Sequence, residues 1–227
     1  MRAGTEPVLR DLFSSAEATD DGATDRIPLA SGAVLIRGLA VPHAASLMAG
    51  LQGVLDAAPL RHMVTPGGFR MSVAMSNCGT RGWVSDAGGY RYDAIDPERG
   101  HAWPAMPESF LQVARHAAEV AGYPGFVPDA CLIGRYEPGA RLTLHQDRDE
   151  EDLGRPIVSM SLGLPAVFLF GGLKRSAKVV RVPLNHGDVV IWGGPARLRY
   201  HGVSTLADGW HPLTGRSRFN LSFRRAG

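Results

Sequence analysis

The sequence has few cysteines, little net charge and no long apolar run, and each shortage excludes a class of protein. Its two cysteines, Cys78 and Cys131, lie far apart and form no CxxC pair, which argues against a zinc ribbon and for reduced thiols. The net charge is only +2, whereas a protein that coats duplex DNA by charge alone is usually more basic. No apolar run approaches the roughly 20 residues that span a bilayer, and the first residues lack a signal-peptide core. We therefore expect a cytoplasmic monomer with no membrane partner.

Glycine and proline, by contrast, are abundant. The 28 glycines and 16 prolines among 227 residues predict many turns and short strands in one domain. Residues 1–26 are expected to form a flexible leader, and residues 27–129 to hold two helices, a strand and a lid. Residues 130–227 are expected to form a β core that makes one compact unit with the preceding part. The helices are predicted at Pro42–Ala57 and Pro107–Gly122.

The second half of the chain shows the pattern of short strands separated by turns. Eight such strands after two helices predict an α+β fold, mainly β, built as a double-stranded β-helix (jelly roll) with the helices outside. A parallel α/β fold is disfavoured because helices do not alternate with these strands. The predicted strands are Cys131–Tyr136, Arg141–His145, Ile157–Leu162, Ala166–Phe170, Val179–Val182, Val189–Trp192, Leu198–His201 and Arg218–Phe223. Between the helices, a glycine-rich stretch with a strand-like piece at Met71–Met75 is typical of a binding lid.

The segment His145-Gln146-Asp147 places an imidazole and a carboxylate two residues apart. Residues two apart on a strand point to the same face, so both groups can reach one ion. Alone, this pattern also fits a strand end whose polar residues face solvent. His201 comes later, at the end of another predicted strand, where a buried structural histidine is the alternative. Together, two histidines and one carboxylate form the facial triad that binds Fe(II) and leaves positions open for a bidentate co-substrate and O₂.

The last predicted strand alternates apolar and polar residues, so its polar side chains share one face. Two arginines on that face can bracket an organic dianion, because guanidinium groups bind carboxylates through paired, charge-assisted hydrogen bonds. An ordinary half-exposed strand is the alternative interpretation. The polar residues of this face are Arg218, Asn220, Ser222 and Arg224.

Several longer segments are similar to the AlkB family of oxidative nucleic-acid demethylases, and the resemblance extends from about Leu9 to Gly227. The similar segments include MVTPGG (63–68), MSVAMSNCG (71–79), WPAMP (103–107), LHQD (144–147), SLGLPA (161–166), FGGLKR (170–175) and HGDVV (186–190). The resemblance implies a jelly-roll dioxygenase with a nucleotide-recognition lid. It also implies Fe(II) as the cofactor and 2-oxoglutarate and O₂ as co-substrates.

The resemblance assigns roles at the iron and 2-oxoglutarate site. It implies that His145, Asp147 and His201 ligate iron and form the catalytic centre. It implies further residues for 2-oxoglutarate: Arg218 and Asn220 at the distal carboxylate, Arg224 near the keto-acid end, and Tyr136 as a phenol hydrogen-bond donor.

The resemblance also implies a substrate side of the site. Trp83 would stack on an extracted base, opposite His145. The other implied substrate residues are Tyr90 and Tyr92 along the nucleic-acid strand, and Asp149 and Arg175 at the base edge. Without the resemblance, Trp83 fits a core tryptophan, the tyrosines a hairpin pair and Arg175 a basic surface turn. The acidic neighbours Glu150, Glu151 and Asp152 are interpreted as a solvated loop.

One position departs from the family pattern. The family has Asn-Arg-Tyr where this chain has Gly134-Arg135-Tyr136, so we expect weaker 2-oxoglutarate binding without loss of activity. The predicted function is oxidative dealkylation of N-alkylated bases in single-stranded or duplex DNA, and in RNA, with release of an aldehyde. The alternatives are a hydroxylase of a small molecule or protein side chain, which would lack the aromatic lid, and a non-catalytic jelly-roll binder of metal or sugar.

Overall fold

The computed structural model describes residues 25–227, and the predicted leader at residues 1–26 lies almost entirely outside them. Its two α-helices are α1 (Ala44–Ala57) and α2 (Glu108–Val120). Pro42 lies in a 3-10 turn that leads into α1, and Pro107 is the N-cap residue of α2. Proline suits these positions because the first turn of a helix needs no backbone N–H from it. Both predicted helices are confirmed, with ends that differ by a few residues.

Among the described residues, thirteen strands form three antiparallel sheets. The strands are β1 (Arg26–Ala30), β2 (Ala33–Ile36), β3 (Ala74–Gly79), β4 (Gly82–Asp86), β5 (Gly89–Asp93), β6 (Ala130–Tyr136), β7 (Leu142–His145), β8 (Ile157–Gly163), β9 (Ala166–Phe170), β10 (Val180–Leu184), β11 (Val189–Trp192), β12 (His201–Val203) and β13 (Arg218–Arg224). The major sheet has the order β1-β2-β11-β8-β13-β6-β3 and the minor sheet β10-β9-β12-β7, while β4 and β5 form a separate hairpin.

The major sheet is the middle of three layers. The two helices cover one of its faces, with Leu47, Leu51 and Phe110 in the buried cluster. The minor sheet covers the other face, where Phe168 packs against Trp192 at 5.8 Å between ring centroids. Because both faces of the major sheet are covered, β8 is buried along its whole length. The predicted mainly-β jelly roll with outer helices is confirmed.

Two strand boundaries were predicted wrongly. The expected strand Leu198–His201 is mostly a turn that follows a 3-10 helix at Gly194–Ala196, and β12 begins only at His201. The backbone N–H of Arg199 donates to the carbonyl of Ala196 at 2.9 Å, which closes a turn there and does not extend a sheet ladder. The piece predicted at Met71–Met75 is shifted to β3, which starts at Ala74. Strands from both predicted parts of the chain share the major sheet, and the boundary near residue 130 stays a prediction.

The hairpin β4–β5 corresponds to the predicted lid and is attached firmly at its base. A Cβ atom at Gly82 would lie 2.3 Å from Cε2 of Trp103, so only glycine allows this close approach. The indole N–H of Trp103 donates at 2.9 Å to the carbonyl of Asp93, which pairs with Gly82 at the base of the hairpin. Within residues 25–227, no helix is long and apolar enough to cross a membrane.

Candidate iron and 2-oxoglutarate site

The three predicted iron ligands lie together at β7 and β12, two neighbouring strands of the minor sheet. The register of β7 and β12 pairs His145 directly with His201, and their rings lie 4.3 Å apart. Asp147 follows two residues after β7 and reaches both rings. Its Oδ1 is 3.5 Å from Nε2 of His145 and its Oδ2 is 3.6 Å from Nε2 of His201. One ligand atom from each residue lies within 4.8 Å of the others, so all three can contact one ion.

Hydrogen bonds orient both imidazoles for metal binding. Nδ1 of His145 lies 2.9 Å from the carbonyl oxygen of Thr143, and Nδ1 of His201 lies 3.0 Å from that of Arg199. A ring that donates from Nδ1 keeps the Nε2 lone pair for a metal. Burial, helped by the neighbouring His201, lowers the pKa of His145 to about 4. Its imidazole is therefore neutral near pH 7, as a metal ligand must be.

The carboxylate of Asp147 is ionised despite its burial. Burial alone would raise its pKa, but Arg224 and His201 outweigh that effect and hold the pKa well below its usual range. Two imidazoles and an ionised carboxylate are the donor set of a non-haem Fe(II) site. The residues present therefore fit Fe(II).

Arg218 on β13 supplies a fully buried guanidinium that contacts two residues lining the cavity, Asn220 and Tyr136. Its Nη2 donates to Ser161 Oγ at 2.8 Å and to Asn220 Oδ1 at 2.7 Å. Its Nε and Nη1 are buried and have no hydrogen-bond partner among the described residues. The guanidinium carbon also lies 4.9 Å from the ring centroid of Tyr136. Since a buried cation with free donors is costly without an anion, this arrangement fits a carboxylate of 2-oxoglutarate.

Arg224, at the other end of the same strand face, is held between two carboxylates. Its Nε donates to Asp147 Oδ2 at 2.9 Å and lies 3.2 Å from Glu150 Oε1. Burial would lower the pKa of Arg224, but Asp147 and Glu150 outweigh it and raise the pKa further above its usual value. The position predicted for Arg224, near the keto-acid end of 2-oxoglutarate, stays a prediction, because its guanidinium contacts these two carboxylates.

The predicted substrate residues line one cavity of about 920 Å³ together with the triad. Trp83 and Tyr90 stack with their centroids 5.7 Å apart and their planes 12° from parallel. The indole N–H of Trp83 donates to Asp149 Oδ2 at 2.9 Å. Arg175 lies over the Tyr200 ring, 5.8 Å from its centroid. The structure therefore brings an aromatic lid, a carboxylate and a guanidinium to one cavity with the triad.

Two residues at the site were missed or misinterpreted. Glu150 was expected in a solvated loop, but it is only 6% exposed, because two arginines neutralise it. Asn77 on β3 is fully buried. Its Nδ2 donates to the carbonyl of Trp83 at 2.9 Å, and the Trp83 N–H donates to its Oδ1 at 3.0 Å. The signal available in the sequence was an amide side chain within the strand Ala74–Gly79, since a buried amide needs hydrogen-bond partners.

Gly134, the departure from the family pattern, lies on β6 directly opposite Asn220 on β13. It lines the cavity. A Cβ atom there would lie 3.3 Å from Cγ1 of Val73 and 3.4 Å from Cε2 of Tyr136. A larger side chain can therefore enter only with small shifts of these neighbours.

We expect Gly134→Asn to lower the KM for 2-oxoglutarate by about fivefold, since one added hydrogen bond contributes about 1 kcal/mol. Steady-state succinate formation at varied 2-oxoglutarate measures this change. Gly134→Ala is the matched control, because it adds the Cβ atom without the amide. An equal KM in both variants would contradict a role for the missing amide.

The chain is similar in sequence to known proteins. Residues 32–224 match the family model described as the 2OG-Fe(II) oxygenase superfamily. The alpha-ketoglutarate-dependent dioxygenase AlkB of Escherichia coli (strain K12) is 55% identical over 217 residues, which cover 96% of this chain and 98% of that protein. The AlkB homolog of Caulobacter vibrioides is 45% identical over 172 residues, covering 75% of this chain and 76% of that protein.

Structural comparison agrees with the sequence comparison. The solved structure of OsALKBH1 matches with a TM-score of 0.79 and 30% sequence identity. The match covers 88% of this chain and 100% of that chain. Most of this chain therefore shares its fold with a solved relative.

Proposed function

The chain belongs to the AlkB family of the 2OG-Fe(II) oxygenase superfamily, and from this premise we propose that it removes alkyl groups from N-alkylated bases of DNA and RNA. It is an Fe(II)- and 2-oxoglutarate-dependent dioxygenase. The observation that supports a base as substrate is that Trp83 lines the same cavity as the triad. A flat aromatic face beside an oxidation centre suits a planar heterocycle.

We propose that His145, Asp147 and His201 hold the iron, and that Arg218 holds a carboxylate of 2-oxoglutarate. When bound, Fe(II) and 2-oxoglutarate supply oxidation by O₂: one oxygen atom enters succinate with loss of CO₂, and the other hydroxylates the N-alkyl carbon, which leaves as an aldehyde. The protein supplies orientation and excludes water from this chemistry. Tyr136 is buried, lines the cavity and lies 4.9 Å from the guanidinium carbon of Arg218.

The substrate base must leave the helical stack before its alkyl group can reach the iron site. We propose that Trp83 stacks on the extracted base and that Asp149 accepts a hydrogen bond from its exocyclic amino group. In the structure Asp149 accepts from the indole N–H of Trp83, so its carboxylate lies beside the stacking face. Arg175 is proposed to donate to the opposite edge of the base, and Tyr90 and Tyr92 to contact the strand.

Charge at the cavity suits a nucleic acid even though the net charge of the chain is small. Besides Arg224, four arginines line the cavity, and phosphate contacts from such residues orient a strand without reading its sequence. These arginines are Arg70, Arg141, Arg148 and Arg175. A phosphate-binding rim of this kind serves single-stranded DNA, duplex DNA and RNA alike.

The proposal is tested with oligonucleotides that carry one 1-methyladenine, as DNA and as RNA, incubated with Fe(II), 2-oxoglutarate, ascorbate and O₂. Mass spectrometry is expected to show the loss of one CH₂ unit per lesion, with formaldehyde and succinate formed in equal amounts. Succinate formation that a methylated oligonucleotide does not stimulate would instead support a hydroxylase of another substrate. No turnover of 2-oxoglutarate at all would support a non-catalytic binder.

Trp83→Ala is expected to raise the KM for the methylated oligonucleotide by tenfold or more with a smaller change in kcat. The reason is that aromatic stacking contributes roughly 1–3 kcal/mol per base. Trp210→Ala is the matched control, because Trp210 is 75% exposed and does not line the cavity. An unchanged KM in the Trp83 variant would contradict the stacking role.

A further inference from the structure

Glu150 is a buried carboxylate that contacts three different parts of the molecule. Its Oε2 lies 2.9 Å from Nη2 of Arg197, which follows the 3-10 helix before β12. Its Oε1 lies 3.2 Å from Nε of Arg224 on β13. The hydroxyl of Tyr92, on the lid strand β5, donates to the same Oε1 at 3.1 Å. A buried carboxylate is tolerated only when it is paired in this way.

Both arginines that contact Glu150 also hold Asp147, the central member of the triad. Arg224 donates from Nε to the Asp147 side chain at 2.9 Å. Arg197 donates from Nη1 to the Asp147 main-chain carbonyl at 2.7 Å. The positive charge of Arg224 is therefore shared between two carboxylates. Without the Glu150 charge, that guanidinium would act on Asp147 alone and compete with a metal for its oxygens.

Tyr92 extends the same network into the lid. It pairs directly with Trp83 across the hairpin β4–β5, so a shift of Tyr92 moves the backbone that carries the stacking residue. Burial is the main reason that the pKa of Tyr92 lies well above its usual value. The phenol therefore stays protonated and keeps donating to Glu150. A continuous set of contacts thus connects the lid strand, through Glu150 and Arg224, to Asp147.

We propose that Glu150 is a positioning residue that couples the lid hairpin to the metal site by sharing Arg224 with Asp147. When a metal takes up the Asp147 carboxylate, Arg224 shifts its charge towards Glu150, and the Glu150 contact with Tyr92 then fixes the lid. This inference rests on the proposed ligand set of His145, Asp147 and His201.

The first test measures binding of Mn(II), a divalent ion that needs no exclusion of oxygen, to the full-length protein. Glu150→Gln keeps the size of the side chain and removes its charge. It is expected to weaken Mn(II) binding by tenfold or more, as outer-shell changes at metal sites typically do. Glu151→Gln is the matched control, since that side chain is 70% exposed, and it should bind like the wild type.

The outcomes of this titration separate the inference from the proposed function. Wild-type protein that binds no Mn(II) would refute the proposed metal site itself. Wild-type protein that binds Mn(II), with Glu150→Gln binding equally well, would refute only the role of Glu150.

The second test uses Tyr92→Phe, which removes one hydroxyl and leaves all buried charges paired. This variant keeps the proposal testable if Glu150→Gln does not fold. Hydrogen exchange of the backbone amides in Gly89–Asp93 is measured with and without Mn(II). Mn(II) is expected to slow this exchange in the wild type. In Tyr92→Phe, Mn(II) affinity should stay within about twofold while the slowing is lost. Equal slowing in both proteins would overturn the coupling.

Discussion

Replacing Asp147 with alanine is expected to abolish both 2-oxoglutarate turnover and demethylation, with a loss of more than about 100-fold. Even outer-shell changes cost 10–100-fold at metal sites, and the Asp147 carboxylate lies 3.5 Å from Nε2 of His145 and 3.6 Å from Nε2 of His201. Succinate formation and Mn(II) binding measure the effect. The variant should still fold, because Arg224 keeps its contact with Glu150.

Asp152→Ala is the matched control for this change, since it removes a half-exposed carboxylate from the same acidic run. It should retain full activity and metal binding. An Asp147→Ala variant that kept a tenth or more of wild-type turnover would contradict the proposed ligand set.

Replacing Arg218 with methionine is expected to raise the KM for 2-oxoglutarate by about 100-fold or more without loss of stability. Two charge-assisted hydrogen bonds to a carboxylate contribute roughly 1.5–3 kcal/mol each. Arg218 is, however, a buried cation whose Nε and Nη1 have no hydrogen-bond partner among the described residues. Burial accordingly lowers its pKa. Removing a buried charge that has no ionic partner also removes the free-energy cost of keeping it away from water, so the stability should not fall.

Steady-state kinetics at varied 2-oxoglutarate and the thermal unfolding midpoint check both parts of this expectation. Arg216→Met serves as the control, because that side chain is 63% exposed and pairs with Asp208 at the surface. A KM within twofold of the wild type would contradict a carboxylate at Arg218.

The part of the site that lies on regular strands could be predicted from sequence periodicity. On β13, Phe219, Leu221 and Phe223 lie in the core cluster beneath the helices, while Asn220 and Arg224 line the cavity. The two-residue period of a strand is enough to separate these faces. The pairing of His145 with His201 across two strands could not be derived in the same way, because register depends on tertiary contacts.

Two residues were not predicted because the sequence around them indicates one environment and the folded structure gives them another. Glu150 lies within an acidic run that is typical of a solvated loop, yet Arg197 and Arg224 contact it in a buried position. These arginines are distant in sequence, so no local sequence pattern predicts their pairing with Glu150. Asn77 was not predicted as a site residue, because its hydrogen-bond partner is the backbone of the lid and not another side chain. Both residues position other residues, and that role is difficult to recognise from residue type or spacing in the sequence.

The most direct measurement of the central claim is an anaerobic titration of the purified protein with Fe(II) and then 2-oxoglutarate, followed by visible absorption. A 2-oxoglutarate chelated to ferrous iron gives a charge-transfer band, and we expect one iron per chain with the band only when both components are present. His201→Ala should lose the band. Wild-type protein without the band, or a His201→Ala variant that retains it, would contradict a triad-bound iron beside an arginine-held keto acid.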